Sequence, residues 1–367
     1  MHLSVASAVG DSGGAEAIAP ALIALAQRGT LGPVVAAPSA WSILERSGIP
    51  FSPYAGGDVG AAVEPCFEGA PPSLVLTTTS WGDERIEPAV IEAARARGVP
   101  TVAVVDFWSN YRRRFETPTG LSLPNWIAVP DDSARAGAIA EGLPEDRLVV
   151  TGNPHYETLV QRYQRFDREE RLAFRERVGI PRQATLALFA SQPIRALYGR
   201  SLGYDEAEVL VLVRDAMEQV AEWLGHPVMM AVRAHPREAI ASLPGASTKV
   251  TLRSAVGEDG LPWALASDLV VGMTSALLLQ AALLGCRVVS VQPNLAGPDT
   301  LPSNRVGLSD PVYQPGEVAS VVYRALARPA HSQLGRSSQR LRTAVNGATL
   351  RLLDLLVAAA HERSAAA

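Results

Sequence analysis

The sequence predicts an α/β protein of two doubly wound, Rossmann-like domains that face one another across a cleft. Three observations carry that expectation. Short β-branched runs alternate with helical stretches along most of the chain, the pattern of a mostly parallel sheet with helices on both faces. The rhythm breaks between residues 153 and 183 and then restarts. The 367 residues exceed one ordinary core, whereas two domains of about 150–200 residues account for them. The expected division is 1–153 and 154–335, with 336–367 as a C-terminal helix that can pack back on the first domain.

Taken in order, residues 3–9 read as a strand that enters Gly10-Asp11-Ser12-Gly13-Gly14-Ala15-Glu16, a glycine-rich turn opening a helix to about residue 28. The spacing is not GxGxxG, and no acidic residue follows a second strand where a dinucleotide fingerprint needs one. The loop is therefore expected to let a ligand approach the backbone. Strands follow at 31–37, 73–77, 101–106, 126–130 and 147–152, with helices at 39–47, 84–97 and 132–141. The fourth strand runs into Phe107-Trp108-Ser109-Asn110-Tyr111 and Arg112-Arg113-Arg114, an aromatic, basic segment at a strand's carboxyl end, where open α/β sheets place ligands. At least one of those three arginines should be solvated.

Asn153-Pro154-His155 interrupts the pattern, and an Arg- and Glu-rich helix over 157–178 reads as a solvated linker helix. A strand at 185–190 ends in Ser191-Gln192-Pro193, a helix covers 205–224, and a strand at 227–234 ends in His235-Pro236-Arg237. Residues 266–292 form one strand–helix–strand unit: a β run at 268–272, an apolar helix at 274–285 closed by Gly285, and a second β run at 287–292. A polar Gly/Pro/Asn stretch, 293–315, precedes closing helices at 317–328 and 337–362.

Composition narrows the function classes. Apolar residues make up 47% and charged residues 19%, a globular balance, and no apolar run approaches the roughly 18–20 residues of a membrane span. The N-terminal stretch has no basic leader and reads directly as strand and loop. Cys66 and Cys286, without CxxC spacing, argue for a reducing compartment, so the cytoplasm is expected. A net charge of −4 argues against nucleic acid as a partner. Lys249 is the only lysine, which excludes a phosphate-loop lysine elsewhere. No HxxxH, HExxH or DxD cluster occurs; Asp131-Asp132 reads as a helix cap and Glu169-Glu170 as part of the charged helix, so neither a metal nor a cofactor is expected.

Several strand-end residues have the chemistry of a phosphate site. Gly272-Met273-Thr274-Ser275 lies between a strand and a helix start, where unpaired N–H groups and the helix dipole suit an anion; the competing reading is a plain cap by Thr274 or Ser275. His235, flanked by Arg233 and Arg237, can donate to a phosphate oxygen, or is a surface turn histidine. Ser191 and Gln192 could reach the same ligand or merely finish a turn. Gln280 sits roughly 120° around the helix from Thr274, which leaves a core-edge glutamine as an alternative. In the first domain, Asp11, Glu16, Asp106 and His155 are acid/base candidates, each competing with capping or an arginine partner.

The order of Thr151-Gly152-Asn153-Pro154, Val232-Arg233-Ala234-His235-Pro236 and Asp268…Met273-Thr274-Ser275…Gln280-Ala281-Ala282-Leu283-Leu284-Gly285 resembles proteins of the glycosyltransferase-B (GT-B) fold. The resemblance spans about residues 70–300 and is strongest to UDP-N-acetylglucosamine 2-epimerase-like proteins and bacterial surface-polysaccharide transferases. It implies a nucleotide-sugar held by the second domain, with the diphosphate on the helix start at Met273, Thr274 and Ser275 and with His235 serving the phosphates. Gln280 then stands where a glutamate usually holds the ribose hydroxyls, and Thr-Ser replaces the usual glycine pair, which weighs against an epimerase in particular. The base is implied near the first loop, at Asp11 or Glu16.

The expected activity is a metal-independent glycosyltransferase moving a sugar from a nucleotide donor, UDP-linked before CMP- or CDP-linked, to a hydroxyl or other nucleophile. Asp11 leads as base, with Glu16 and His235 as further catalytic candidates. Ser191, Gln192, Arg233, His235, Met273, Thr274, Ser275 and Gln280 form the expected donor-binding set. The rival readings are a nucleotide-sugar 2-epimerase or hydrolase, and a non-catalytic binding protein of the same fold.

Overall fold

The computed structural model describes residues 3–80, 85–163, 166–235, 238, 249–257, 259–327 and 345–366. The chain forms two compact units, Met1–Leu159 with Arg342–Ala367, and Val160–Leu341. The division falls inside the helix Pro154–Tyr163 rather than after residue 153.

The first unit contains β1 (Val5–Val9), β2 (Leu31–Ala36), β3 (Ser52–Pro53), β4 (Leu74–Thr77), β5 (Thr101–Val104), β6 (Glu116–Thr117), β7 (Gly120–Leu121), β8 (Trp126–Val129) and β9 (Leu148–Val150). Seven of these build a parallel sheet in the order β3-β2-β1-β4-β5-β8-β9, while β6 and β7 pair as an antiparallel ribbon. Every residue of β1, β4 and β5 is buried, which is why these strands read as continuous apolar runs rather than alternating ones. One face is covered by Ile18, Leu22 and Leu25 of the helix Ser12–Gln27 and by Leu352, Leu356 and Ala359 of the helix Ala348–Ala366. The other packs on Cys66, Ile86, Val90 and Ala94. The sheet winds outward in both directions from β1 and β4, so its switch point lies where those two strands end.

The final helix is fastened at its start. The Glu157 carboxylate accepts hydrogen bonds from the backbone N–H groups of Gly347 (2.6 Å) and Thr349 (2.9 Å) and from the Thr349 hydroxyl (2.8 Å). Arg351 donates to the carbonyl of Thr151 at 3.0 Å. A carboxylate there satisfies donors that have no partner within the helix and meets the positive end of its dipole. Residues 337–344 of the expected closing helix lie outside the described residues, and the helix is described from Ala348.

The second unit contains β10 (Thr185–Ala190), β11 (Val228–Arg233), β12 (Val250–Ser254), β13 (Leu269–Gly272), β14 (Val288–Val291) and β15 (Asp310–Val312). They form a parallel sheet in the order β12-β11-β10-β13-β14-β15, with its switch point between β10 and β13. The helix Glu206–Leu224, started by an Asp205 capping box and ended by left-handed Gly225, packs on this sheet with the helix Val318–Ala327.

The single solvated helix expected over 157–178 is two helices, Pro154–Tyr163 and Arg168–Arg177, and Asp167 caps the second. Nor is its charge wholly solvated. Arg171 and Arg175 donate to Asp268 at 2.5 and 2.8 Å, and the N–H of Leu186 donates to the same carboxylate at 2.8 Å. Among the described residues no helix is long and apolar enough to cross a membrane.

Replacing Glu157 with alanine removes three hydrogen bonds from one helix start. Denaturant unfolding should show the first unit destabilised by about 1–2 kcal/mol. An unchanged midpoint would contradict the assigned role.

Candidate functional site

In the first unit, β1 delivers Gly10 and Asp11 to the switch point, and β4 delivers Thr78, Thr79 and Ser80. Asp11 is extended (φ −147°, ψ 173°) and caps the helix Ser12–Gln27, its Oδ1 accepting the Gly14 N–H at 2.7 Å. The three glycines of this loop are demanded by packing. A Cβ on Gly10 would lie 2.2 Å from Glu87 Oε1, one on Gly13 would lie 2.6 Å from Asp106 Oδ2, and one on Gly14 would lie 2.5 Å from Thr78 Cβ. The close approach expected of a ligand is thus made by the protein's own side chains.

Glu87 opens the helix Glu87–Ala96 and is 3% exposed. It accepts the hydroxyl of Thr78 (2.9 Å), the N–H of Ser80 (2.9 Å) and the hydroxyl of Ser80 (2.8 Å). The Thr78 hydroxyl oxygen accepts the Gly10 N–H at 2.9 Å. Asp106 accepts Arg114 Nη1 at 2.5 Å, and Arg114, itself buried, also donates to the carbonyl and hydroxyl of Thr79 and to the carbonyl of Ser109. Asn153 ties the same edge down by donating to the Asp106 carbonyl at 3.1 Å.

Arg114 thus pairs with Asp106 and acts on Asp11 through space, while Glu87 is held by two hydroxyls and a backbone amide. Burial first, and then the charges of Asp106 and Glu87, push the Asp11 carboxyl up to about 7, against the lowering effects of the Gly14 N–H and Arg114. A group near half-titration at neutral pH can take a proton from a hydroxyl and still be regenerated.

Glu16 has different partners, Arg46 at 3.2 Å and His155 at 3.7 Å. Burial lowers the His155 pKa despite the raising effect of Glu16, with Arg46 adding to the lowering. Of the three consecutive arginines, Arg112 and Arg113 are exposed and Arg114 is buried.

In the second unit, Gln192 and Thr274 come together across the switch point. The Gln192 side-chain carbonyl accepts the Thr274 N–H at 2.8 Å and its hydroxyl at 3.2 Å. Ser275 precedes the helix Ala276–Leu283 in extended conformation, and no side chain caps this helix. The Ser275 hydroxyl is buried and makes no hydrogen bond. The plain cap is thus not made, and a donor is held at a helix start whose first N–H groups lack intrahelical partners.

The Met273 side chain lies in the core, so its place in the expected donor-binding set rests on its backbone. Its carbonyl accepts the Ser290 hydroxyl at 2.6 Å, and Gln292 donates to that hydroxyl oxygen at 2.9 Å. Ser191 donates its hydroxyl to Glu238 at 2.7 Å, and the same carboxylate accepts the His235 N–H at 3.1 Å. Arg233 donates to the Gly257 carbonyl at 2.8 Å. Gln280 is half-buried on the helix Ala276–Leu283. Pro236 and Arg237 lie outside the described residues.

Sequence reasoning missed Glu87 and Glu238. A glutamate in a helix's first turn is ordinary, and the sole trace of Glu87 is the loop glycine it requires.

No protein-family profile matches the sequence, and no curated protein matches it. Solved structures do. UDP-GlcNAc 2-epimerase from Neisseria meningitidis, bound to UDP-GlcNAc, is similar with a TM-score of 0.68 at 14% identity, covering 97% of this chain and 100% of that one. UDP-GlcNAc 2-epimerase from Methanocaldococcus jannaschii gives 0.68 at 13%, covering 97% and 99%. The glycotransferase of kitacinnamycin gives 0.61 at 15%, covering 98% and 100%. At such identities the likeness establishes architecture alone, and with the two parallel sheets described above it shows that the chain has the GT-B fold.

Proposed function

We propose that the protein is a nucleotide-sugar-dependent transferase in which Asp11 is the base and the start of the helix Ala276–Leu283 receives the donor phosphates. The observation that carries this reading is the Asp11 carboxyl, raised to about 7 at the switch point of the first sheet. The buried, unpartnered Ser275 hydroxyl at the switch point of the second supports it. In the reaction, Asp11 removes the acceptor hydroxyl proton as the acceptor oxygen bonds to the sugar's anomeric carbon. The bond from that carbon to the phosphate oxygen breaks, and its electron pair leaves on the nucleotide. Ser275 and the helix N–H groups meet the charge that develops there.

Asp106 favours a second reading. Two carboxyl groups at one sheet edge suit removal and return of a proton at a sugar carbon, as a 2-epimerase requires, and such a reaction needs no acceptor. Incubation with UDP-sugar alone separates the two. An epimer or free UDP formed without acceptor supports the second reading, and turnover only with acceptor supports the first.

Donor class is read from thermal stability with UDP-, CDP- and CMP-linked sugars, with and without magnesium. A ligand at about 100 times its Kd adds roughly 2.7 kcal/mol, so the matching nucleotide should raise the Tm by several degrees. No shift with any of them would contradict the nucleotide-sugar reading.

Asp11→Asn should cost about 10²–10⁴ in kcat while keeping the helix cap. Wild-type turnover should climb with pH to a plateau above about 7. Stability moves the other way: because folding raises this carboxyl above its unfolded value, wild-type stability falls as pH rises from about 4 to about 7. Asp11→Asn should therefore be the more stable protein at pH 8, by on the order of 4 kcal/mol, with the gap closing near pH 4. A variant that is both active and no more stable would remove Asp11 from the site.

A further inference from the structure

Glu87 has no place in the reaction as written, yet it is among the most constrained carboxylates in the chain. It is buried at 3% exposure, its three hydrogen-bond donors come from the two residues Thr78 and Ser80, and its oxygens lie where a side chain on Gly10 would be. The Thr78 hydroxyl links this carboxylate to Asp11's neighbour, donating to Glu87 and accepting from the Gly10 N–H. Glu87 is thus joined to the Gly10–Asp11 turn through one hydroxyl and presses on it directly.

Resting on the reading of Asp11 as base, we propose that Glu87 is its positioning residue: the buried side chain fixes the Gly10–Asp11 turn through Thr78 and acts electrostatically on the base beside it. Three further groups act on Asp11. Asp106, at the end of β5, adds negative charge, Arg114, from the segment following it, subtracts, and the Gly14 N–H on Asp11's own helix stabilises the ionised form. Glu87 differs from Asp106 in lacking an arginine among its hydrogen-bond partners; they are two hydroxyls and a backbone amide. Asp106 nevertheless acts on Asp11 more strongly than Glu87 does, so Glu87 is the smaller of the two contributions and the one tied mechanically to the Gly10–Asp11 turn.

The test is a carbon-13 NMR titration of the Asp11 carboxyl, identified by its disappearance in Asp11→Asn, in the full chain and in two variants. Glu87→Gln keeps the shape and an acceptor oxygen but removes the charge. Thr78→Val keeps the charge and the volume but cuts the link to Gly10. Glu87→Gln should lower the Asp11 midpoint by half a pH unit or more from about 7. The acid limb of any pH–rate profile should follow it by the same amount. Thr78→Val should leave the midpoint raised but weaken Asp11's placement, seen as a lower kcat with little change in KM.

A midpoint unchanged in Glu87→Gln, in a folded protein, would overturn the proposal and leave Glu87 a packing residue. A wild-type midpoint near 4 would overturn it too. If Glu87→Gln does not fold, an Asp11 midpoint in Thr78→Val that falls to the ordinary carboxylate range would overturn the electrostatic claim by itself. The titration is independent of turnover. An active Asp11→Asn would sink the base reading while the electrostatic link between Glu87 and Asp11 could still be measured.

Discussion

Everything distinctive about the first unit follows from gathering Asp11, Glu87 and Asp106 at the carboxyl edge of a parallel sheet, with Arg114 paired to Asp106. Burial first, and then the charge of Asp106, raises the cost of ionising Asp11, against a backbone N–H that favours the ionised form. The loop pays for this geometry in side chains, since Gly10, Gly13 and Gly14 must stay bare for Glu87, Asp106 and Thr78 to fit. Capping, which at sequence level competes with the proposed proton transfer at Asp11, does not preclude it: one oxygen accepts the Gly14 N–H while burial and neighbouring charge raise the group as a whole.

The second unit solves a different problem. Polar groups behind its switch point are satisfied in chains: the Met273 carbonyl by Ser290, Ser290 by Gln292, and Thr274 by Gln192. Ser275 is left out of these chains. A buried hydroxyl without a partner costs free energy, and such a cost is commonly retained where a ligand completes the bond. Ser191 and His235, joined through Glu238, sit on strand ends of the same sheet, and a carboxylate at their centre makes them less apt for an anion than sequence reasoning allowed.

The sheets were legible because buried parallel strands are written as short β-branched runs, as at Leu74–Thr77 and Leu269–Gly272, with glycine or proline near their ends. Helix starts were legible where a capping residue stands, as at Asp205. The break at Asp167 was passed over although that residue is also a cap, because charge continues unbroken through it. The glycine loop was misread for a deeper reason. A glycine shows that something comes close, but the atom that does so, here Glu87 or Asp106, belongs to another strand end and leaves no local mark. The inward turn of the Met273 side chain was not legible, because a strand-end position fixes where the backbone goes and not which face the side chain takes.

The account stands or falls on whether the uncapped helix start in the second unit receives a nucleotide's phosphates. A crystal structure of the protein grown with UDP measures this directly. The account predicts a diphosphate oxygen within about 2.6–3.2 Å of Ser275 Oγ, and loss of the bound nucleotide in Ser275→Val. UDP bound with its phosphates away from Ser275, or equally well in Ser275→Val, would contradict it.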